Sequence, residues 1–228
     1  MFAVSDTTQK ILRNFAAFNA QLLLTAGQKQ HTHLKSKSVL VSAELPEAWP
    51  EQTGIYNMNE FLGVMSTFSK PSVTFDGEKL SLFDPANPDL SIDYPMADPT
   101  VIGATAQGDF PHDNAKAEFT FTADEFSSLK KTASLMGLLV ISITVKKGAV
   151  TLAATGETGT KAWKRTIPAD RVKVTDETFE KTAKFSIEHI VLMEQGDYTI
   201  SISDWAYGYF AHKTLPLAYY IAQQKRKA

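Results

Sequence analysis

Two histidines that stand two positions apart are the first candidates for a chemical role. His31 and His33 would share one face of an extended strand, and imidazole nitrogens placed in this way are typical zinc ligands. A complete zinc site needs further ligands, but the chain has no cysteine and no cluster of His and Asp surrounds the pair. We therefore predict a surface strand here and no metal site.

Several aspartates between positions 84 and 98 form a second candidate, because carboxylate oxygens are the ligands that calcium prefers. Their spacing does not match an EF-hand loop, and prolines lie among them. Proline and aspartate together are typical of turns. The residues concerned are Asp84, Asp89, Asp93 and Asp98, with Pro85, Pro88, Pro95 and Pro99. The pattern therefore predicts turns in this region.

The patterns associated with catalysis are incomplete. Residues Gly156 to Gly159 form a glycine-rich turn, but the Lys-Ser/Thr pair of a phosphate-binding loop is missing. No serine stands in the setting of a nucleophile elbow, so no Ser-His-Asp triad is indicated. We predict that the chain is not an enzyme and needs no cofactor.

Basic side chains on amphipathic helices are the remaining candidates, and their chemistry would be phosphate binding. A predicted helix after Thr122 buries Phe126 and presents Lys131 on the opposite face, with Lys130 at its flank. A helix near the N-terminus separates its apolar and basic residues in the same way. The basic residues of the two helices are Lys10, Arg13, Lys130 and Lys131. Basic helix faces are commonly in contact with solvent alone. The pattern therefore does not decide between a solvated face and a phosphate-binding face.

Composition limits what the chain can be. Its 228 residues, 43% of them hydrophobic, allow one large or two medium domains with a substantial core. The absence of cysteine excludes disulfides and fits a reducing cytoplasm. No signal peptide or membrane-spanning segment is indicated, so we expect a soluble cytoplasmic protein. A formal net charge of -2 means that any contact with DNA must come from a locally basic surface.

A repeated unit organises the elements that position these residues. Four segments, starting near Ser5, Asn57, Thr122 and Ser186, each begin with a polar cap, continue as a short amphipathic helix and pass into strands. Paired two by two, they predict an α+β fold of two similar domains, 1–104 and 117–228, joined by a linker at 105–116. The predicted strands are 22–25, 39–44, 73–75, 80–82, 139–145, 149–154, 198–202 and 217–222, with Leu139 facing the core beside Ile141.

The order of several motifs resembles that of the DNA sliding clamps, the ring-shaped processivity factors of DNA polymerases. Residues 125–159, from Glu125-Phe126 to Gly156-Glu157-Thr158-Gly159, are similar to the opening of the second domain of proliferating cell nuclear antigen. Segments 57–65, 97–100 and 143–148 are closer to the T4-type bacteriophage clamp. The resemblance covers nearly the whole chain in order.

This resemblance implies a homotrimeric ring that encircles duplex DNA without reading its sequence and tethers the replicative DNA polymerase. It also implies loading by a clamp-loader ATPase, in the cytoplasm of the host cell if the protein belongs to a phage. The helices would line the hole, and the expected DNA-binding residues are Lys10, Arg13, Lys130, Lys131, Lys70, Lys184 and His189. A hydrophobic pocket for partner peptides is implied too, with Phe110, Pro111, Tyr219, Tyr220, Ile221 and Ala222 as candidates.

Two alternatives remain open from the sequence. One is a β-rich structural or assembly protein that uses the same edge strands to oligomerise and does not bind DNA. The other is a monomeric peptide-binding module. The basic residues at 225–227 are interpreted as a frayed tail.

Overall fold

The computed structural model describes residues 1–102 and 108–224. The chain divides into two compact units, Met1–Gly108 and Asp109–Ala228. Part of the predicted linker and the basic residues at 225–227 lie outside the described residues. No helix in the described ranges is both long and apolar enough to span a membrane.

The first unit combines helices with antiparallel sheets. The elements in chain order are β1 (Phe2–Ala3), α1 (Asp6–Phe18), β2 (Leu22–Leu24), β3 (Gly27–His33), β4 (Val39–Trp49), β5 (Thr53–Ile55), α2 (Met58–Met65), β6 (Ser72–Asp76), β7 (Lys79–Asp84), β8 (Asn87–Pro95) and α3 (Pro99–Ile102). One sheet has the strand order β1-β6-β7-β8, while β3 pairs with β4 and β2 pairs with β5.

The second unit repeats this plan. The elements are β9 (Ala117–Phe121), α4 (Ala123–Met136), β10 (Val140–Lys146), β11 (Ala149–Thr155), β12 (Ala162–Thr166), a 3-10 turn (Ala169–Arg171), β13 (Val172–Val174), β14 (Lys181–Ser186), α5 (Ile187–Val191), β15 (Tyr198–Ile202), β16 (Tyr207–His212) and β17 (Leu217–Ala222). One sheet has the strand order β12-β11-β10-β14, and β13-β9-β15-β16-β17 are neighbours in another.

Polar side chains cap the helices at three of the four starts that the sequence predicts. The backbone N–H of Thr8 donates to Ser5 Oγ at 3.2 Å in α1, and that of Glu60 donates to Asn57 Oδ1 at 3.3 Å in α2. Thr122 and Glu125 form a reciprocal capping box on α4. Ser186 makes no side-chain cap on α5, so the fourth repeat has a weaker helix start than the others.

Helices α1 and α4 bury their apolar stripes within their own units. On α1, Ile11, Leu12 and Phe15 are completely buried. On α4, Phe126 packs against the ring of Tyr198 with centroids 5.3 Å apart. The helices also pack in pairs, α1 with α2 and α4 with α5. The burial of these aromatic and aliphatic side chains stabilises both units.

The predicted orientation of Leu139 is wrong. Strand β10 begins one residue later, and Ile141 is buried while Leu139 is 53% exposed. The chain leaves α4 through Gly137, whose φ of +64° is left-handed, and Leu138 is the residue that enters the core. The backbone of Leu139 is still held, because its N–H donates to the carbonyl of Thr155 at 2.8 Å.

The prediction of turns throughout 84–98 is wrong over most of its length. Strand β8 occupies Asn87–Pro95 and pairs with β7, so Asp89 and Asp93 stand on an edge strand, while Asp84 ends β7 and Asp98 follows β8. The Asp93 carboxylate accepts from Lys79 Nζ at 2.7 Å and from Ser81 Oγ at 2.5 Å. Edge strands tolerate proline because one side of their backbone makes no ladder hydrogen bonds, which is why the prolines misled the prediction.

The two histidines lie on β3, as predicted. His31 and His33 alternate there with the buried Thr32. Within residues 1–102 and 108–224, no group of His, Asp and Glu side chains lies close enough together to hold a metal ion.

Candidate nucleic-acid and partner-binding surfaces

The basic residues of α1 lie on its solvent face. Lys10 and Arg13 are exposed, while Ile11 and Leu12 between them are buried. The three-residue spacing places the two basic side chains beside each other on the helix surface. Their length and positive charge suit contacts with phosphates.

The two lysines of α4 differ in role. Lys131 is exposed to solvent. Lys130 is half-buried, its Nζ donates to the carbonyl of Met193 at 2.7 Å, and it lies 4.5 Å from the centroid of the Phe126 ring. Burial lowers the pKa of the Lys130 ammonium. Lys131 is therefore open to a phosphate, whereas Lys130 is engaged in joining α4 to the chain after α5.

The other three candidate DNA-binding residues, Lys70, Lys184 and His189, differ in their exposure to solvent. Lys70 and Lys184 are exposed. His189 is half-buried on α5, with its Nε2 3.5 Å from a carboxylate oxygen of Glu188. Burial lowers the pKa of His189 despite this carboxylate, so its imidazole is neutral at pH 7. It adds no positive charge to the surface near neutral pH.

The predicted peptide-binding residues are divided between two sides of β17. Tyr219 and Ile221 are completely buried, and the Tyr219 hydroxyl accepts from the backbone N–H of Glu194 at 3.0 Å. Tyr220 faces the other way and meets the rings of residues before β9. Ala222 is exposed at the end of the strand. The structure thus brings Tyr220 together with Phe110 and places Tyr219 and Ile221 in the core, while the carbonyl of Pro111 accepts from the Tyr207 hydroxyl.

Tyr220 belongs to a larger group of rings that we call the aromatic patch. Phe110 stacks on Tyr207 with centroids 5.2 Å apart, and its edge meets Tyr220 at 5.7 Å. His112 stacks on Tyr209 at 4.2 Å, with its Nδ1 3.0 Å from the Tyr220 hydroxyl. The aromatic patch consists of Phe110, His112, Trp205, Tyr207, Tyr209 and Tyr220.

Sequence reasoning missed four of the six residues of this patch, namely His112, Trp205, Tyr207 and Tyr209. Tyr207 and Tyr209 alternate on β16, so both point to the same face of the sheet. The register of β16 with β17 then places Tyr209 directly opposite Tyr220. The alternation was visible in the sequence, but the register that joins it to Tyr220 was not.

Two edge strands carry opposite charges. Strand β8 ends the sheet of the first unit and carries Asp89 and Asp93, with Leu90 49% exposed. Strand β12 ends a sheet of the second unit and carries Lys164 and Arg165. An exposed strand edge offers backbone groups for pairing with another chain.

Arg165 on strand β12 donates to the buried carboxylate of Glu125. Glu125, only 8% exposed, accepts from Arg165 Nε at 2.6 Å and from Arg171 Nη2 at 2.7 Å. Burial alone would raise the pKa of Glu125, but the hydrogen bonds from Arg171, from the Thr122 N–H and from Arg165 outweigh it and lower the pKa to about 2. The carboxylate is therefore ionised at all ordinary pH values.

Two phage proteins are similar to this chain in sequence. No family model matches the chain. The sliding clamp of Vibrio phage KVP40 is 25% identical over 224 residues, which cover 97% of this chain and 98% of that protein. The chain is similar to the sliding clamps. The sliding clamp of Enterobacteria phage T4 is 27% identical over 150 residues, covering 65% of this chain and 64% of that protein.

Solved structures show the sliding-clamp fold as well. Proliferating cellular nuclear antigen from Entamoeba histolytica matches with a TM-score of 0.70 at 17% identity, over 95% of this chain and 94% of that chain. A chain of the PCNA2–PCNA3 complex from Sulfolobus tokodaii matches with a TM-score of 0.71 at 14% identity, over 97% and 98%. The predicted α+β clamp fold and the resemblance to sliding clamps are confirmed, and the alternative of an unrelated structural protein is not favoured.

Proposed function

We propose that this chain is a subunit of a sliding clamp that encircles duplex DNA and tethers the replicative DNA polymerase. The observation that carries this proposal is the similarity to the KVP40 sliding clamp over almost the full length of both chains. Such a protein is a processivity factor and not an enzyme. With phage proteins as its relatives, it would act in the cytoplasm of the infected host cell.

The proposed DNA surface is built from exposed basic residues on helices of both units. Lys10 and Arg13 on α1 and Lys131 on α4 would contact phosphates, with Lys70 and Lys184 in support. These contacts are independent of base sequence and weaken as salt rises, because each one releases counterions. Weak contacts suffice in a ring, since the closed ring and not affinity keeps the protein on DNA.

The proposed ring forms by head-to-tail contact of edge strands. The acidic β8 of one subunit would pair with the basic β12 of the next, so each subunit contributes one edge to each of its two interfaces. Such heterologous contacts close into a ring when the rotation per subunit allows, and the clamp resemblance favours three subunits. Light scattering is expected to give about three times the chain mass of 25.1 kDa.

Retention on circular DNA tests the proposed function. After loading by the clamp-loader ATPase, the protein should stay on a nicked circle and leave when one cut linearises the DNA. Equal release from circular and linear DNA would contradict encirclement. The polymerase and the loader would bind by peptide tails at the aromatic patch, next to Phe110 and Tyr220.

Neutralising the DNA surface should reduce loading while leaving the ring intact. For the triple variant Lys10→Ala, Arg13→Ala and Lys131→Ala, we expect at least about tenfold less protein loaded at moderate salt, because several phosphate contacts are lost in each subunit. Loader-dependent retention on primed circles measures this, and light scattering checks the ring. Lys130→Met is the matched contrast, since Lys130 is engaged with Met193. Unchanged loading of the triple variant would contradict the assigned surface.

A further inference from the structure

Residues 109–113, which we call the covering segment, contribute Phe110 and His112 to the aromatic patch and cover its tyrosines. The Phe110 ring lies between Tyr207 and Tyr220, with centroid distances of 5.2 Å and 5.7 Å. The next two residues hold it there. The Tyr207 hydroxyl donates to the carbonyl of Pro111, and the His112 ring stacks on Tyr209. The covering segment therefore places the Phe110 ring against Tyr207 and Tyr220.

The covering segment is attached in a way that permits release. It lies outside every described helix and strand, and side-chain contacts with the aromatic patch hold it in place. Phe110 keeps 49% of its surface exposed, although the tyrosine beneath it, Tyr220, is 2% exposed. A stacked aromatic pair contributes only modestly to stability, so a better-fitting ring from another chain would displace Phe110.

The covering segment also gives the patch a negative charge. Burial raises the pKa of the Tyr220 hydroxyl, and the nearby carboxylates of Asp109 and Asp113 raise it further. Asp109 acts on the pKa of Tyr209 in the same way, after burial. A peptide with lysine or arginine beside its aromatic residue would complement these carboxylates.

We propose that the covering segment is an internal ligand, in which Phe110 occupies the seat that an aromatic anchor of a partner's basic tail takes. A tail binds by displacing Phe110, so the chain's own segment lowers the apparent affinity for every tail and favours those with a strong anchor. This inference rests on the proposed function only for the identity of the partners, the polymerase and the clamp loader. The competition itself is a property of the second unit.

Peptide binding to the full-length protein tests the competition. The probe is a fluorescein-labelled octapeptide, KKSLFFGK, with KKSLAAGK as the matched peptide that lacks aromatic rings. By fluorescence anisotropy, Phe110→Ala should bind KKSLFFGK about threefold to tenfold more tightly than the unmodified protein. Tyr207→Phe, which keeps the ring and removes the hydrogen bond to Pro111, should shift binding in the same direction by about twofold. Neither variant should bind KKSLAAGK.

Tyr56→Ala is the control, because Tyr56 is an exposed aromatic residue of the first unit, 59% exposed. It should leave binding unchanged. If Phe110→Ala binds KKSLFFGK more weakly, Phe110 is part of the peptide-binding surface and not a competitor of the peptide. Equal binding would show that Phe110 does not compete with the peptide. Failure of every variant to bind KKSLFFGK would also overturn the inference.

The two proposals fail separately in this design. Peptide binding is measured without DNA or loader, so a protein that is not retained on circular DNA could still show tighter binding for Phe110→Ala. Conversely, normal retention on DNA together with unchanged peptide binding would contradict the proposal that Phe110 is an internal ligand. It would not contradict the clamp proposal.

Discussion

Reversing one charge on strand β12 is expected to convert the ring into monomers. Lys164 is exposed on this edge strand, and in the proposed ring it meets the acidic β8 of the neighbouring subunit, which carries Asp89. Lys164→Glu would replace attraction by repulsion, and like charges brought together at an interface cost several kcal/mol. Because the ring repeats this contact at every interface, we expect its dissociation constant to rise at least about a hundredfold. Light scattering over a dilution series measures the change.

A charge swap within one chain tests the pairing directly. The double variant Lys164→Glu and Asp89→Lys restores opposite charges across each interface, so its mass on dilution should return towards that of the unmodified protein. Lys146→Glu is the control, since Lys146 is an exposed lysine at the end of β10 that pairs with Ala149. If Lys164→Glu remains a trimer at every concentration, the proposed interface is wrong.

Removing the charge of Glu125 is expected to have the largest effect on stability. Glu125→Gln keeps the shape of the side chain but leaves Arg165 and Arg171 facing a neutral amide. Losing the charged acceptor of these hydrogen bonds costs about 2 kcal/mol, because hydrogen bonds to charged groups are worth about 1.5–3 kcal/mol and the Arg171 side chain, 20% exposed, stays partly desolvated. Urea unfolding at a fixed protein concentration measures the loss. Glu157→Gln, at an exposed turn, should change the free energy of unfolding by less than about 0.5 kcal/mol.

The stability difference between the unmodified protein and Glu125→Gln should depend on pH. The pKa of Glu125 is lowered from 4.5 to about 2 in the folded protein, so the carboxylate stabilises the fold fully above pH 4.5. This stabilisation should decrease as the pH falls from 4.5 towards 2, where Glu125 becomes protonated. Unfolding measured between pH 7 and 2.5 should therefore show the two proteins converging. A constant difference would contradict an ionised Glu125 as its source.

Glu125 illustrates the limit of sequence reasoning about sites. The pattern around Thr122 predicted a capped helix, and Glu125 does complete its capping box. The same carboxylate also binds Arg165 and Arg171, which follow about forty residues later in the chain. Local spacing contains no information about such a contact, because it depends on how β12 and the 3-10 turn return to the start of α4.

The basic residues show the same division. The helical period predicted that Lys10, Arg13 and Lys131 face solvent, and they are exposed. It placed Lys130 at the flank of the apolar face but could not show that this lysine is engaged, because its hydrogen bond goes to the carbonyl of Met193 on a distant segment. Which lysine is open to a phosphate is therefore a tertiary property, although both lie on one short helix.

Local sequence is enough to predict the repeated helix-and-strand units, the caps of α1, α2 and α4 and the clamp-like order of motifs, because these depend on residues within a few positions of one another. Only the folded structure shows that β8 is an edge strand, that Leu139 faces solvent, and that Phe110 covers Tyr220. Each of these depends on strand register or on a contact between distant segments. Such pairings are selected by the packing of the whole unit and not by local propensity.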